Sequence, residues 1–225
     1  MSKILIMSTQ TQENYLKCIY KLSTQNIEGA STNAIAKELQ ARAATVTDML
    51  KKLAEKKLIN YTKYKSVSLT VKGNKLALEI IRRHRLWEVF LVNTLHFKWD
   101  EVHEVAEQLE HINSEKLIEN LNNFLGNPKF DPHGDPIPDK HGKMIDTRSI
   151  PLSEAKIGDK LQMTGVLEHS NSFLNYLNEI NLLPNQKFTI KKINPFDQSM
   201  QIEILKGNTQ FISSLTASNI LVKCL

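Results

Sequence analysis

Residues 31–70 read STNAIAKELQARAATVTDMLKKLAEKKLINYTKYKSVSLT. Ser31 or Thr32 can cap a helix, because a short side-chain oxygen accepts from the free N–H groups of a first turn. Ile35, Ala36 and Leu39 then give a short helix ending near Gln40. After Ala41–Ala43, Ala44–Lys56 is a longer amphipathic helix with Val46, Met49, Leu50 and Leu53 on one side. Leu58–Tyr61 and Val67–Thr70 alternate like strands around a basic tip, Thr62–Ser66. Upstream, Thr11–Ser23 is helical, with Tyr15, Leu16, Ile19, Tyr20 and Leu22 near helical spacing.

Helix, short helix, turn, longer helix, hairpin is a winged helix-turn-helix pattern. The second helix of such a pair can lie in the major groove, with the hairpin reaching the flanking backbone. The expected contacts are Arg42, Ala44, Thr45, Thr47 and Asp48 at the head of the recognition helix, with Lys51, Lys52, Lys63 and Lys65 on phosphates. A basic three-helix domain without nucleic acid is the plain alternative.

Charge follows the same division. Residues 1–75 hold 13 Lys+Arg and 5 Asp+Glu, a net of +8. Residues 76–125 net −4 and residues 126–225 net +1. The overall +5 on 225 residues therefore hides a basic block beside an acidic one, which suggests partners of opposite sign. Uneven solvated surface is the other reading. Hydrophobic residues make up 41% of the chain, enough for real cores. No apolar run approaches the roughly 20 residues of a membrane helix, and Met1–Met7 is too short for a secretory signal. Cys18 and Cys224 form no CxxC pair, so neither a disulfide scaffold nor a cysteine zinc ribbon is expected. The cytoplasm is the default location.

Downstream, Thr70 or Val71 opens a helix to about Asn93. Asp100 caps a second helix to about His111, and Ser114 a third to about Leu125. Gly126–Pro138 holds four of the seven prolines and reads as a loop or strap. Five short β runs follow, at Lys160–Thr164, Lys187–Ile193, Met200–Leu205, Thr209–Ile212 and Ile220–Lys223, with a helix at Phe173–Ile180. They fit a small barrel. The fold class is mainly α with small β. The expected domains are 1–75 (winged helix), 76–140 (helical), 141–152 (linker) and 153–225 (barrel).

The chemistry concentrates between 84 and 111. His103, Glu107, Glu110 and His111 share an arc of one helix, apart from its apolar residues Val102, Val105, Ala106 and Leu109. His84 and Glu88 form a second i, i+4 pair. Imidazole with carboxylate suits divalent manganese, iron, cobalt or zinc. Plain solvated helix faces are the alternative. His96 reads as a loop or packing residue, and His133 and His141 as solvent-exposed. Trp87, Trp99 and Cys18 read as packing residues. No GxGxxG, Walker, HExxH or GxSxG motif occurs, so the chain is not read as an enzyme.

Together these stretches resemble the diphtheria toxin repressor and manganese transport regulator family of metal-dependent transcription factors. The resemblance runs through TQENYLKCIYKL (11–22), ATVTDMLKKL (44–53), RHRLWEVFL (83–91), VHEVAEQLEH (102–111) and DPHGDPIP (131–138). The last third resembles the SH3-like, FeoA-like domain of its longer members. The resemblance implies a homodimeric repressor of metal-homeostasis genes on a near-palindromic duplex operator, with divalent metal as corepressor. It also implies a primary metal site of Asn14, Glu107, Glu110 and His111. A second site would use His84, Glu88 and His103, with His169 and Ser172 or Glu168 from the barrel.

Position 14 is Asn, where iron-type members usually have Met and manganese-type members Asp. Position 107 is Glu, as in manganese-type members, where iron-type members have Cys. With both sulfur ligands absent, the expectation is Mn2+ over Fe2+ and up to two ions per chain, with Zn2+ or Co2+ substituting in vitro. Lys17 stands where manganese-type members often place a second carboxylate of the first helix. The rival reading is a winged-helix regulator with a non-metal effector, the His/Glu helices being structural.

Overall fold

The computed structural model describes residues 9–25, 30–62, 65–204 and 207–225. It divides into two compact units. The first comprises Met1–His84, Leu109–Asn113 and Pro138–Lys143; the second comprises Arg85–Gln108, Ser114–Ile137 and Met144–Leu225.

The first unit is built on α1 (Gln10–Gln25), α2 (Thr32–Glu38) and α3 (Ala43–Glu55). Ser31 is the N-cap of α2, its Oγ accepting from the Ala34 N–H at 3.1 Å. Leu16 and Ile19 of α1, Ile35 of α2, and Val46, Leu50 and Leu53 of α3 are fully buried in one core. On α3 those three residues fall at i, i+4 and i+7, so helical periodicity alone turns the opposite face outward. The wing is short: β1 (Ile59–Asn60) pairs antiparallel with β2 (Ser68–Leu69). Lys63, expected on phosphate, lies outside the described residues. Thr70 opens α4 (Val71–Asn93) by accepting from the Gly73 N–H on Oγ1 at 3.1 Å.

Farther along the chain, α5 (Val102–Leu109) stops short of the expected end at His111. Glu110 and His111 lie in the turn that follows, so the four His/Glu residues do not share one helical face. The next helix, α6 (Glu115–Phe124), starts at Ser114, whose Oγ accepts from the Leu117 N–H at 3.3 Å.

The C-terminal third forms a six-stranded sheet in the order β3-β8-β4-β5-β6-β7. Its strands are β3 (Ile150–Pro151), β4 (Lys160–Val166), β5 (Lys187–Ile193), β6 (Met200–Ile204), β7 (Asn208–Ile212) and β8 (Ile220–Cys224), every neighbouring pair antiparallel. Alternation along β4 and β6 sends Leu161, Met163, Met200 and Ile202 inward. They pack with Leu174 and Leu177 of α7 (Asn171–Glu179). The sequence pattern does not reveal β3 or the two short helical turns, Leu152–Glu154 and α8 (Ser214–Ser218). Each is too brief to show a period. Ile150 and Pro151, read from the sequence as linker, pair with Val222 and Leu221 of β8.

The strap at 126–138 is ordered by its own backbone. Phe130 bridges Pro136, and the Asp131 N–H donates to the Asp135 carbonyl at 3.0 Å. Its contact with β4 falls where the register against β8 shifts between Met163 and Gly165. A bulge there bends the strand and opens its backbone to a close neighbour. Gly134 has φ +91°, and a Cβ on it would lie 2.1 Å from the Thr164 carbonyl oxygen. A Cβ on Gly165 would lie 2.3 Å from the His133 carbonyl oxygen. Two facing glycines therefore let the strap and β4 touch backbone to backbone.

Candidate metal centres and nucleic-acid interface

In the first unit, α1 presents Glu13 and Lys17 to the turn residues Glu110 and His111. Lys17 Nζ lies 2.8 Å from both Glu110 carboxylate oxygens. His84 Nδ1–H donates to Glu110 Oε2 at 2.7 Å. Glu110 is wholly buried. Burial alone pushes its carboxyl pKa up, but the His84 hydrogen bond and the Lys17 charge outweigh that and hold it below the usual range. His111 Nδ1–H donates to Glu13 Oε2 at 2.7 Å, which leaves Nε2 3.9 Å from Glu110 Oε1. Arg83 pairs with Glu13 at 3.3 Å. Asn14 Oδ1 is buried without a hydrogen-bond partner.

In the second unit, the acids and imidazoles gather on the strap. Ligand atoms of Glu88, Asp131 and His133 lie within 4.8 Å of one another, and all three residues are buried. His133 Nε2–H donates to the Trp99 carbonyl at 2.7 Å, so a ring that gives up its other proton keeps its lone pair on Nδ1, 3.6 Å from Glu88 Oε1. That backbone bond fixes the tautomer a metal ligand needs. Burial lowers the His133 pKa, yet the Glu88 and Asp131 carboxylates override it and push it up to about 9. Burial, with the charges of Glu88 and Asp135, pushes the Asp131 carboxyl up to about 7, against the opposing Arg85 and His133. Crowded buried carboxylates of this kind are short of positive charge.

Neighbouring groups hold this cluster in place. Asp131 Oδ1 accepts from the backbone N–H of His133 at 2.8 Å and of Asp135 at 3.0 Å. Arg85 donates to the Pro136 carbonyl at 2.6 Å and to Asp135 Oδ2 at 2.8 Å, with its Nε 3.4 Å from Asp131 Oδ2. His103 stands 3.5 Å from Glu88 through Nδ1 and 3.5 Å from Glu107 through Nε2. The His169 ring centroid is 5.1 Å from that of His133, and His169 Nε2 is buried without a hydrogen-bond partner. Burial pulls the His169 pKa down, against the opposing charge of Asp135.

Of the expected metal residues, Glu110 and His111 therefore meet α1 and His84, whereas Glu88, His103 and His169 gather with the strap. Ser172 is exposed and faces Ser170 at 3.3 Å. Glu168 is also exposed and accepts from the Ser170 N–H at 2.8 Å. The expectation of a solvent-exposed His133 is wrong: the residue is 2% exposed, because the glycine pair draws the strap onto β4. His96 and His141 are exposed. Trp87 and Cys18 are buried as packing residues. Sequence reasoning missed Asp131 and His133, although the run Asp131-Pro132-His133-Gly134-Asp135 already carries three ligand-type residues.

On α3, Ala44, Thr45, Asp48, Lys51 and Lys52 are exposed opposite the buried stripe, and so is Arg42 just before the helix. Thr47 is partly covered, and its Oγ1 donates to the Ala43 carbonyl at 2.9 Å. Lys65 on the wing is exposed. Lys51 and Asp48 form a loose pair at 3.3 Å. A short capped helix before a longer one with an exposed polar head is the arrangement that enters a major groove.

Three family models match the chain in series. Residues 7–67 match the N-terminal DNA binding domain of iron dependent repressors, and residues 70–139 their metal binding and dimerisation domain. Residues 150–224 match the FeoA domain. The solved structure of a manganese-dependent transcriptional repressor in complex with manganese is 33% identical, covers 95% of this chain and 100% of its own, and superposes with a TM-score of 0.87. The structure of ScaR with bound Zn2+ is 32% identical over 95% of this chain and 99% of its own, with a TM-score of 0.78. The iron-dependent repressor IdeR of Mycobacterium leprae is 27% identical over 193 residues, 80% of this chain and 84% of its own. No helix among the described residues is long and apolar enough to cross a membrane. With its three regions in that order and a full-length relative above 30% identity, the chain belongs to the iron- and manganese-dependent transcriptional repressor family.

Proposed function

We propose that this chain is a homodimeric cytoplasmic repressor that binds a near-palindromic operator when a divalent cation, Mn2+ in preference to Fe2+, is bound. The observation that carries the reading is the buried trio Glu88, Asp131 and His133, whose ligand atoms converge within 4.8 Å. Two carboxylates and an imidazole, with His169 beside them and no sulfur, form a hard donor set that favours manganese. A bound divalent ion supplies the positive charge that these crowded carboxylates lack.

The protein's part is to hold the donors. The Trp99 carbonyl sets the His133 tautomer, Arg85 pins the acidic strap, and α4 fixes Glu88. A cation acts on DNA binding only through its different affinity for the competent and incompetent arrangements. The helix α4 carries Glu88 in one unit and His84 in the other, one turn apart, and so is common to both. On DNA, Lys51, Lys52 and Lys65 neutralise phosphate while residues 42–48 meet base edges.

The test is Glu88→Gln. Its binding to a cognate duplex should lose its response to Mn2+ while residual, salt-sensitive binding stays. A Glu88→Gln protein regulated as wild type would favour a non-metal effector.

A further inference from the structure

The primary site expected from the resemblance needs Glu110 as a metal ligand, but Glu110 already has a cation. Lys17 Nζ sits 2.8 Å from each of its oxygens, 21% exposed, and His84 takes the same carboxylate at 2.7 Å. Charge-assisted bonds of this length are the strong kind. The carboxylate is fully buried, so the ammonium compensates a charge that water does not reach. The residues as they stand do not fit a metal at this point: an incoming ion would have to displace the Lys17 ammonium from Glu110. Asn14 would offer only a neutral amide oxygen in return.

We propose that Lys17 is the resident cation of the helix-1 site, so the wild-type chain takes its divalent ion at the Glu88 cluster and none at Glu110. The tie from α1 to the turn at 110–111 is then built into the chain, through Lys17–Glu110 and Glu13–His111. It does not depend on metal supply. The donors around Glu110 are nonetheless suited to a metal once the ammonium is gone. Asn14 Oδ1 is buried and unsatisfied, and His111 Nδ1 is committed to Glu13, which leaves Nε2 toward Glu110. Removing Lys17 should therefore create a site. The proposal rests on the reading of the Glu88 cluster as the metal centre.

The experiment counts Mn2+ retained per chain by equilibrium dialysis with elemental analysis, alongside circular dichroism to verify folding. Wild type and Glu110→Gln should each retain one ion. Lys17→Met should retain two, and Lys17→Met with Glu110→Gln should return to one. Lys17→Arg should stay at one. A wild type that holds two ions and drops to one on Glu110→Gln would overturn the proposal while leaving the repressor reading intact. A wild type holding none, with Lys17→Met holding one, would overturn the Glu88 reading and keep Lys17 as the resident cation. If Lys17→Met does not fold, the wild-type and Glu110→Gln counts still decide.

Discussion

The Val166 N–H donates to the His133 carbonyl oxygen at 3.0 Å, joining the end of β4 to the strap that carries two buried metal-ligand candidates. That bond forms because Gly165, beside it, has no side chain to hold the His133 backbone away. Gly165→Ala should cost about 1–3 kcal/mol of stability through overpacking. It should also weaken Mn2+ affinity at least tenfold, since His133 is displaced with its backbone. Thermal melts and Mn2+ titration of the same sample check both effects.

Arg85 holds the strap by one carbonyl and two carboxylates. Arg85→Ala leaves Asp131 with Glu88 and Asp135 and removes the cation that offsets them. Breaking a buried pair in this way costs about 3–5 kcal/mol. Added Mn2+ should restore part of that loss, so the metal-induced rise in Tm should be larger in Arg85→Ala than in wild type. Arg85→Lys keeps the charge but not the planar fork and should fall between the two. An equal metal-induced rise in all three proteins would separate Arg85 from the centre.

Exposed Lys51 and Lys52 on α3 should contact phosphate. Each replaced by Ala should weaken binding uniformly across sequences and reduce the salt slope by about 1. The Lys51–Asp48 pair is exposed and contributes little to folding, so the melting temperature should hardly move. Anisotropy titrations between low and moderate salt give the slope.

The two cysteines should differ in reactivity. Cys18 is 4% exposed, and burial, helped by the Glu38 charge, pushes its thiol pKa up to about 12. Cys224 is exposed. A disulfide reagent at pH 8 should titrate one thiol in the native protein and two in denaturant, because the thiolate is the reacting form. The folded Cys18 pKa lies above its unfolded value, so the stability it confers is full below about 9 and is lost as pH rises toward 12.

Much of this was legible in the sequence, for identifiable reasons. The stripe Val46, Leu50, Leu53 has a helical period, and Ser31 and Ser114 are short capping side chains, so α2, α3 and α6 were readable locally. Glu88 and His103 were readable as ligand types at helical spacing. His133 was not, because a Pro/Gly strap has no period and its burial depends on a glycine pair separated by about 30 residues of chain. The union of Lys17 with Glu110 was equally invisible, since it joins residues 93 positions apart. Both belong to tertiary convergence, which spacing along one element does not encode.

If a divalent cation at Glu88, Asp131 and His133 gates DNA binding, affinity for an operator must follow metal supply. Duplexes selected from a random pool on the Mn2+-loaded protein provide the probe, and their affinity is then measured by anisotropy in Mn2+ and in excess chelator at constant ionic strength. Affinity should fall at least tenfold in chelator and return when Mn2+ is restored. Equal affinity in both conditions would contradict it.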